Sequence, residues 1–294
     1  MNDITPQAPK SSKKADLIRK IIYFPLTRIV VGSIVCMLVG VIVNALLLRP
    51  ILGLLNLEEY LARTIRFGTN AVIILATYYW LFKYYEKREI TELSMAHALK
   101  ESTLGVLAGM VTISCSILIL GLMGYYQVLS INERPFLLVY PLVYQGFIGT
   151  LEEVLFRGIL YRITEQHLGT RIALVISALL FSVFHLTNEG ANFVTFLFVA
   201  AWGVMLALMF SLTRRLWFPI FFHAGWNFAM VFFGTITSGM DEFIPYSLFQ
   251  SELQGPNLLT GGAFGPENSI ITIALTLILV VALYIRVSKK GWMK

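Results

Sequence analysis

A chain of 294 residues that is 57% hydrophobic and only 14% charged, with a mean hydropathy of +0.73, is far outside the range of soluble domains. The net charge of +6 is small and dispersed, which argues against a nucleic-acid partner, and two cysteines, Cys36 and Cys115, make neither a disulfide framework nor a CxxC metal site. At about 20 residues per span, the composition predicts one all-α, polytopic transmembrane bundle.

Residues 1–28 are polar and basic, with Lys10, Lys13, Lys14, Arg19, Lys20 and Arg28, and read as a cytoplasmic tail that sets topology. The apolar run that follows, 29–48, is too long for a signal-peptide core and lacks a cleavage site, so it is expected to be an uncleaved first span. Further spans are predicted over 67–82, 103–126, 136–166, 172–186, 191–212, 216–236 and 270–285, about eight in all. The fourth is long enough to bend, with Pro141 the expected place. With both termini cytoplasmic, the outer segments hold only Arg49, Arg63, Arg66 and Arg134 of the basic residues, the bias expected for inner loops, although Arg157 and Arg162 read equally as lying at membrane depth. A single bundle over 29–287 is therefore expected, with its core over about 136–236 and a short cytoplasmic tail at 288–294. The connection 237–269, with Asp241, Glu242, Glu252, Glu267 and three prolines, reads as a plain external loop in preference to a lid.

Within the fourth span the stretch Ile148–Tyr161 places two adjacent carboxylates, Glu152 and Glu153, in apolar surroundings. A charge at the bilayer centre costs at least about 2.5 to 3.5 kcal/mol, so such residues face a protein interior or a wet cavity and are functional by default. Neighbours on a helix point about 100° apart, whereas Glu153 and Arg157 at i, i+4 share a face. Arg157 is thus expected to neutralise Glu153 and leave Glu152 for chemistry. Phe181 and His185 also stand at i, i+4, as do His223 and Asn227. Glu152 and His185 each lie about 15 residues from the turn expected near 168–170, so an antiparallel hairpin brings them to similar depth. A water held between carboxylate and imidazole in a dry cavity is activated for attack on a carbonyl, and His223 and Asn227 are candidate donors to the resulting oxyanion. Each residue alone also fits a helix-to-helix hydrogen bond.

The order and spacing of these motifs resemble the CPBP family of intramembrane CAAX proteases and bacteriocin-processing (Abi-type) enzymes, relatives of the type II prenyl-protein endopeptidases. EExxxR stands as Glu152, Glu153 and Arg157, FxxxH as Phe181 and His185, and HxxxN as His223 and Asn227. The resemblance implies peptide-bond hydrolysis in a membrane, with Glu152 as general base, His185 as its partner on the water, and His223 with Asn227 as the oxyanion site. It implies a membrane-associated peptide or protein substrate, a lipid bilayer around the chain and a bacterial plasma-membrane location. Members are often called metalloproteases, and relatives have also been read as glutamate-dependent enzymes without metal. No metal is expected here; the alternative is zinc held by Glu152, His185 and His223. The rival readings are a proton-coupled transporter and a non-enzymatic, immunity-type partner of the same fold.

Overall fold

The computed structural model describes residues 13–293. The expected tail therefore lies partly outside the described residues; its described part is a short helix, α1 (Lys13–Ile22). Chain direction then changes at Tyr23 and Phe24, and α2 (Pro25–Val43) starts on a proline, whose missing N–H costs nothing in a first turn. A π-helical turn (Asn44–Leu48) carries it into α3 (Arg49–Leu54). The helices that follow are α4 (Glu59–Tyr85), α5 (Ala98–Leu122), α6 (Val139–Glu153), the short α7 (Arg162–Leu168), α8 (Thr170–Phe184), α9 (Phe193–Thr213) and α10 (Trp217–Phe232). The short α11 (Asn257–Thr260) and the long α12 (Ile270–Lys289) close the chain.

Each of the eight segments read from the sequence coincides with a helix or helix pair, and among the described residues five stretches are long and apolar enough to cross a membrane: 25–54, 91–122, 170–187, 193–213 and 270–289. Of the others, α10 has only 16 residues, and the apolar runs of α4 and of α6 with α7 are broken by charge. The outward faces are apolar, with Val41, Leu107, Leu118, Val175, Leu277 and Ile278 exposed, while polar side chains such as Asn70, Gln145, Glu153 and Arg157 are buried inside. That inversion suits a lipid surround.

Three expectations change. Pro141 bends nothing: it sits in the first turn of α6, where no carbonyl partner is lost. The irregularity lies instead immediately after the paired carboxylates, where Val154–Tyr161 form two π-helical turns that join α6 to α7. The fold is also not purely helical, since β1 (Tyr126–Ile131) and β2 (Phe249–Leu253) pair antiparallel and tie the end of α5 to the long connection. That connection, expected as a plain loop, is an ordered cap built from turns, β2 and α11, with Phe264 fully buried in the core between α5, α9 and α10. The turn between α7 and α8 falls where expected, on Gly169 at φ +81°, a conformation that a side chain would strain.

Helix α10 is gripped more closely than any ordinary side chain allows. A Cβ on Gly109 of α5 would stand 2.2 Å from the Phe222 carbonyl oxygen, and one on Gly149 of α6 would stand 2.7 Å from that of Ile220. Gly105 and Gly109 form the small-xxx-small face that lets membrane helices approach. Gly109→Ala is therefore expected to push α5 off α10 and to lower stability in detergent by about 1 to 3 kcal/mol, the range for overpacking. An unchanged melting temperature would show that the contact yields freely.

Candidate active site

The π-helical turns after Glu153 keep Arg157 within reach: Arg157 Nη1 donates to Glu153 Oε1 at 2.8 Å, with both side chains fully buried. Arg157 Nη2 donates to the Gly203 carbonyl of α9 at 3.0 Å, and the guanidinium lies over the Phe181 ring, 4.6 Å from its centroid. One buried cation is thus held by three elements, with only its Nε left without a partner. Phe181 has a second task, because its carbonyl oxygen lies 2.9 Å from His185 Nδ1. A carbonyl only accepts, so Nδ1 carries the hydrogen and Nε2 is a bare lone pair. His185 begins a short turn at the end of α8, and that lone pair is 3.7 Å from Glu152 Oε2.

His223 on α10 mirrors this arrangement. Its Nδ1 is 3.2 Å from Glu153 Oε1, the oxygen that also accepts from Arg157, and its Nε2 is 3.9 Å from Glu152 Oε2. Glu153 therefore serves both as counterion and as the group that orients an imidazole. Glu152 Oε2 is buried without a hydrogen-bond partner, facing two imidazole nitrogens. Asn227, one turn beyond His223, donates from Nδ2 to Gln145 Oε1 at 3.1 Å. The structure thus brings Glu152, Glu153, Arg157, His185, His223 and Asn227 into one cluster at the meeting of α6, α8, α9 and α10.

A cavity of about 20 Å³, room for a single water, opens onto His185, His223 and Asn227. Four residues not singled out in the sequence join them. Trp202 of α9 stacks on Phe181 at 5.7 Å and meets His223 edge-on at 4.6 Å. Gln145 precedes Glu152 by seven residues, the same helix face, which is a signal the sequence offered. Ser238 and Glu267 come from the cap, and their pairing with this cavity has no local signature.

The implied zinc finds three donors of the right kind in Glu152, His185 and His223. Two ligands at 2.0 to 2.2 Å from a tetrahedral ion lie about 3.3 to 3.6 Å apart, closer than the 3.7 and 3.9 Å seen here. Among the described residues no three His, Cys, Asp or Glu side chains converge on one point.

A helical bundle that buries such a cluster among apolar outward faces is suited to a membrane. Residues 134–229 match the family described as type II CAAX prenyl endopeptidase Rce1-like, and this stretch, about a third of the chain, includes every residue of the three motifs. The resemblance to the CPBP, or CAAX-protease, family is thereby shown, and it supports a membrane protease in general. Comparison with curated proteins and with solved structures gave no match.

Proposed function

We propose that the chain is an intramembrane endopeptidase that hydrolyses a peptide bond of a membrane-associated peptide or protein. The observation that carries this reading is the unpartnered Glu152 Oε2 facing two imidazole nitrogens beside a cavity for one water. A water there gives one hydrogen to Glu152 and one to the bare Nε2 of His185, which aims its oxygen lone pair at a substrate carbonyl. Glu152 takes the proton as the oxygen attacks. The oxyanion then accepts from Asn227 Nδ2, whose second hydrogen is available beside Gln145, and from His223 when that ring is protonated at Nε2, its other N–H held by Glu153.

With this chemistry go the finer features of the reading: eight spans with both termini in the cytoplasm, one bundle over 29–287 with its catalytic core near 136–236, and residence in a bacterial plasma membrane. Nothing in the family match favours a transporter or an immunity-type partner. The hydrolytic cycle needs no metal on this reading. The test is to reconstitute purified protein in liposomes with internally quenched, lipidated peptides. Cleavage that persists after exhaustive chelation is expected. Absence of cleavage across the panel overturns the protease reading, and one zinc per chain, with activity lost on chelation and restored by zinc, overturns the metal-free mechanism.

A further inference from the structure

Glu267 is a carboxyl delivered to this cavity, beside the Glu152 cluster, by a different part of the chain. It lies in the turn before α12, is 4% exposed, and lines the cavity together with His185, His223 and Asn227. Its position is built by several contacts. Trp226 of α10 donates from Nε1 to Oε2 at 3.4 Å, and Ser238 donates from Oγ to Oε1 at 2.6 Å. The Ser238 carbonyl accepts from Asn188 Nδ2 at 2.9 Å, which fixes this part of the cap to the turn just after His185. On the other side Thr272 of α12 donates to the Pro266 carbonyl at 2.7 Å, and Phe264 anchors the segment in the core. A plain connection between two helices has no need to bury a carboxyl, since burial costs several kcal/mol unless the group is neutral or well paired.

Resting on the protease reading above, we propose that Glu267 is the general acid of this site, handing its proton to the nitrogen that leaves when the peptide bond breaks. Glu152 cannot serve both ends of the reaction at once, for it must be ionised to accept the proton of the attacking water. The water oxygen bonds to the carbonyl carbon and its proton passes to Glu152. The C–N bond then breaks with its electron pair on nitrogen, which takes the proton of Glu267. Transfer of the Glu152 proton to Glu267 restores both groups, so the cycle consumes only water. Burial pushes the Glu267 carboxyl up to about 7, and the nearby Glu152 charge pushes the same way. The proposal requires one carboxyl ionised to take a proton and the other neutral to give it, the division by which one site runs acid and base chemistry together. His185 and His223 are the other titratable groups on this cavity.

The experiment uses the whole protein in liposomes, a quenched lipidated peptide that the wild type cleaves, and the same peptide with an ester in place of the scissile amide. An alcohol leaves without prior protonation far more readily than an amine. Glu267→Gln keeps the shape, with its carbonyl oxygen accepting from Trp226 and its amide donating to a Ser238 hydroxyl turned to accept, so the melting temperature and KM are expected to hold. Turnover of the amide is expected to fall about 100-fold or more while that of the ester changes only a few-fold. Equal losses on both substrates would make Glu267 a structural latch and overturn the proposal, as would full amide turnover in the variant; either result leaves the protease reading standing if Glu152→Gln is inactive. A wild type that cleaves neither substrate overturns both. Should Glu267→Gln fail to fold, Glu267→Asp, which keeps an acid one methylene short, is expected to show the same preference for ester in weaker form.

Discussion

Glu152→Gln is expected to abolish peptide hydrolysis and to leave the fold intact. The substituted amide has the size of the carboxyl but cannot take a proton from water, and proton transfer by a placed side chain is worth about 100 to 10,000-fold in rate. Folding is spared because Glu152 Oε2 has no hydrogen-bond partner to lose and faces acceptor nitrogens on both sides. Replacing a buried, unpaired carboxylate by a neutral group of equal volume removes a desolvation cost, so the melting temperature is expected to equal or exceed that of the wild type. The two measurements together are the check. Full proteolysis by the variant would remove Glu152 from the role of base, and loss of activity accompanied by unfolding would assign it a structural one.

The contrast between the two glutamates was legible in the sequence because it rests on helix periodicity alone. Adjacent side chains diverge, so only Glu153 reaches Arg157, and their i, i+4 spacing survives even though the helix between them is π-helical; the expectation that the two glutamates share no partner fails, because His223 faces both through its two ring nitrogens. The depth of His185 was legible for a similar reason: a count of residues from a turn fixes rise in an antiparallel pair, and Gly169 marks that turn. What the sequence did not disclose is how Glu153 is used on its far side. His223 reaches it from α10, 70 residues later, and no local pattern records that one carboxyl orients an imidazole while neutralising an arginine.

The bend and the cap were misread for different physical causes. Proline disrupts a helix only where it removes a hydrogen bond, and Pro141 stands too near the start of α6 to remove one. The cap looked like a loop because its glycines and prolines break every periodicity, yet those residues are what lets it fold tightly. Gly265 at φ +109° would bring a Cβ to 2.3 Å from the Ile236 carbonyl oxygen, and Gly239 packs as closely on Glu189. Short-range composition reports flexibility of the chain in isolation; the cap is ordered by Phe264 and by backbone contacts with segments far away in sequence.

Glu153→Ala is expected to be the most destabilising change in the cluster. It leaves Arg157, which is completely buried, without its carboxylate; Nε already has no partner, and only the Gly203 carbonyl and the Phe181 ring remain. Breaking one side of a buried pair costs about 3 to 5 kcal/mol, a large share of the stability of most proteins. Unfolding in detergent micelles measures it directly. The same substitution takes away the acceptor for His223 Nδ1, so stability and turnover are both expected to fall. A second variant separates the two effects. Adding Arg157→Met removes the stranded charge and keeps an apolar stem against Phe181, which recovers much of the stability, as replacement of whole buried pairs by apolar groups does elsewhere. Turnover is not expected to return, because His223 still lacks the oxygen that fixes its ring. Wild-type stability in Glu153→Ala, or a double variant no more stable than the single one, would show that the pair does not hold α6 and α9 together; recovery of turnover in the double variant would show that Glu153 acts only as the counterion of Arg157.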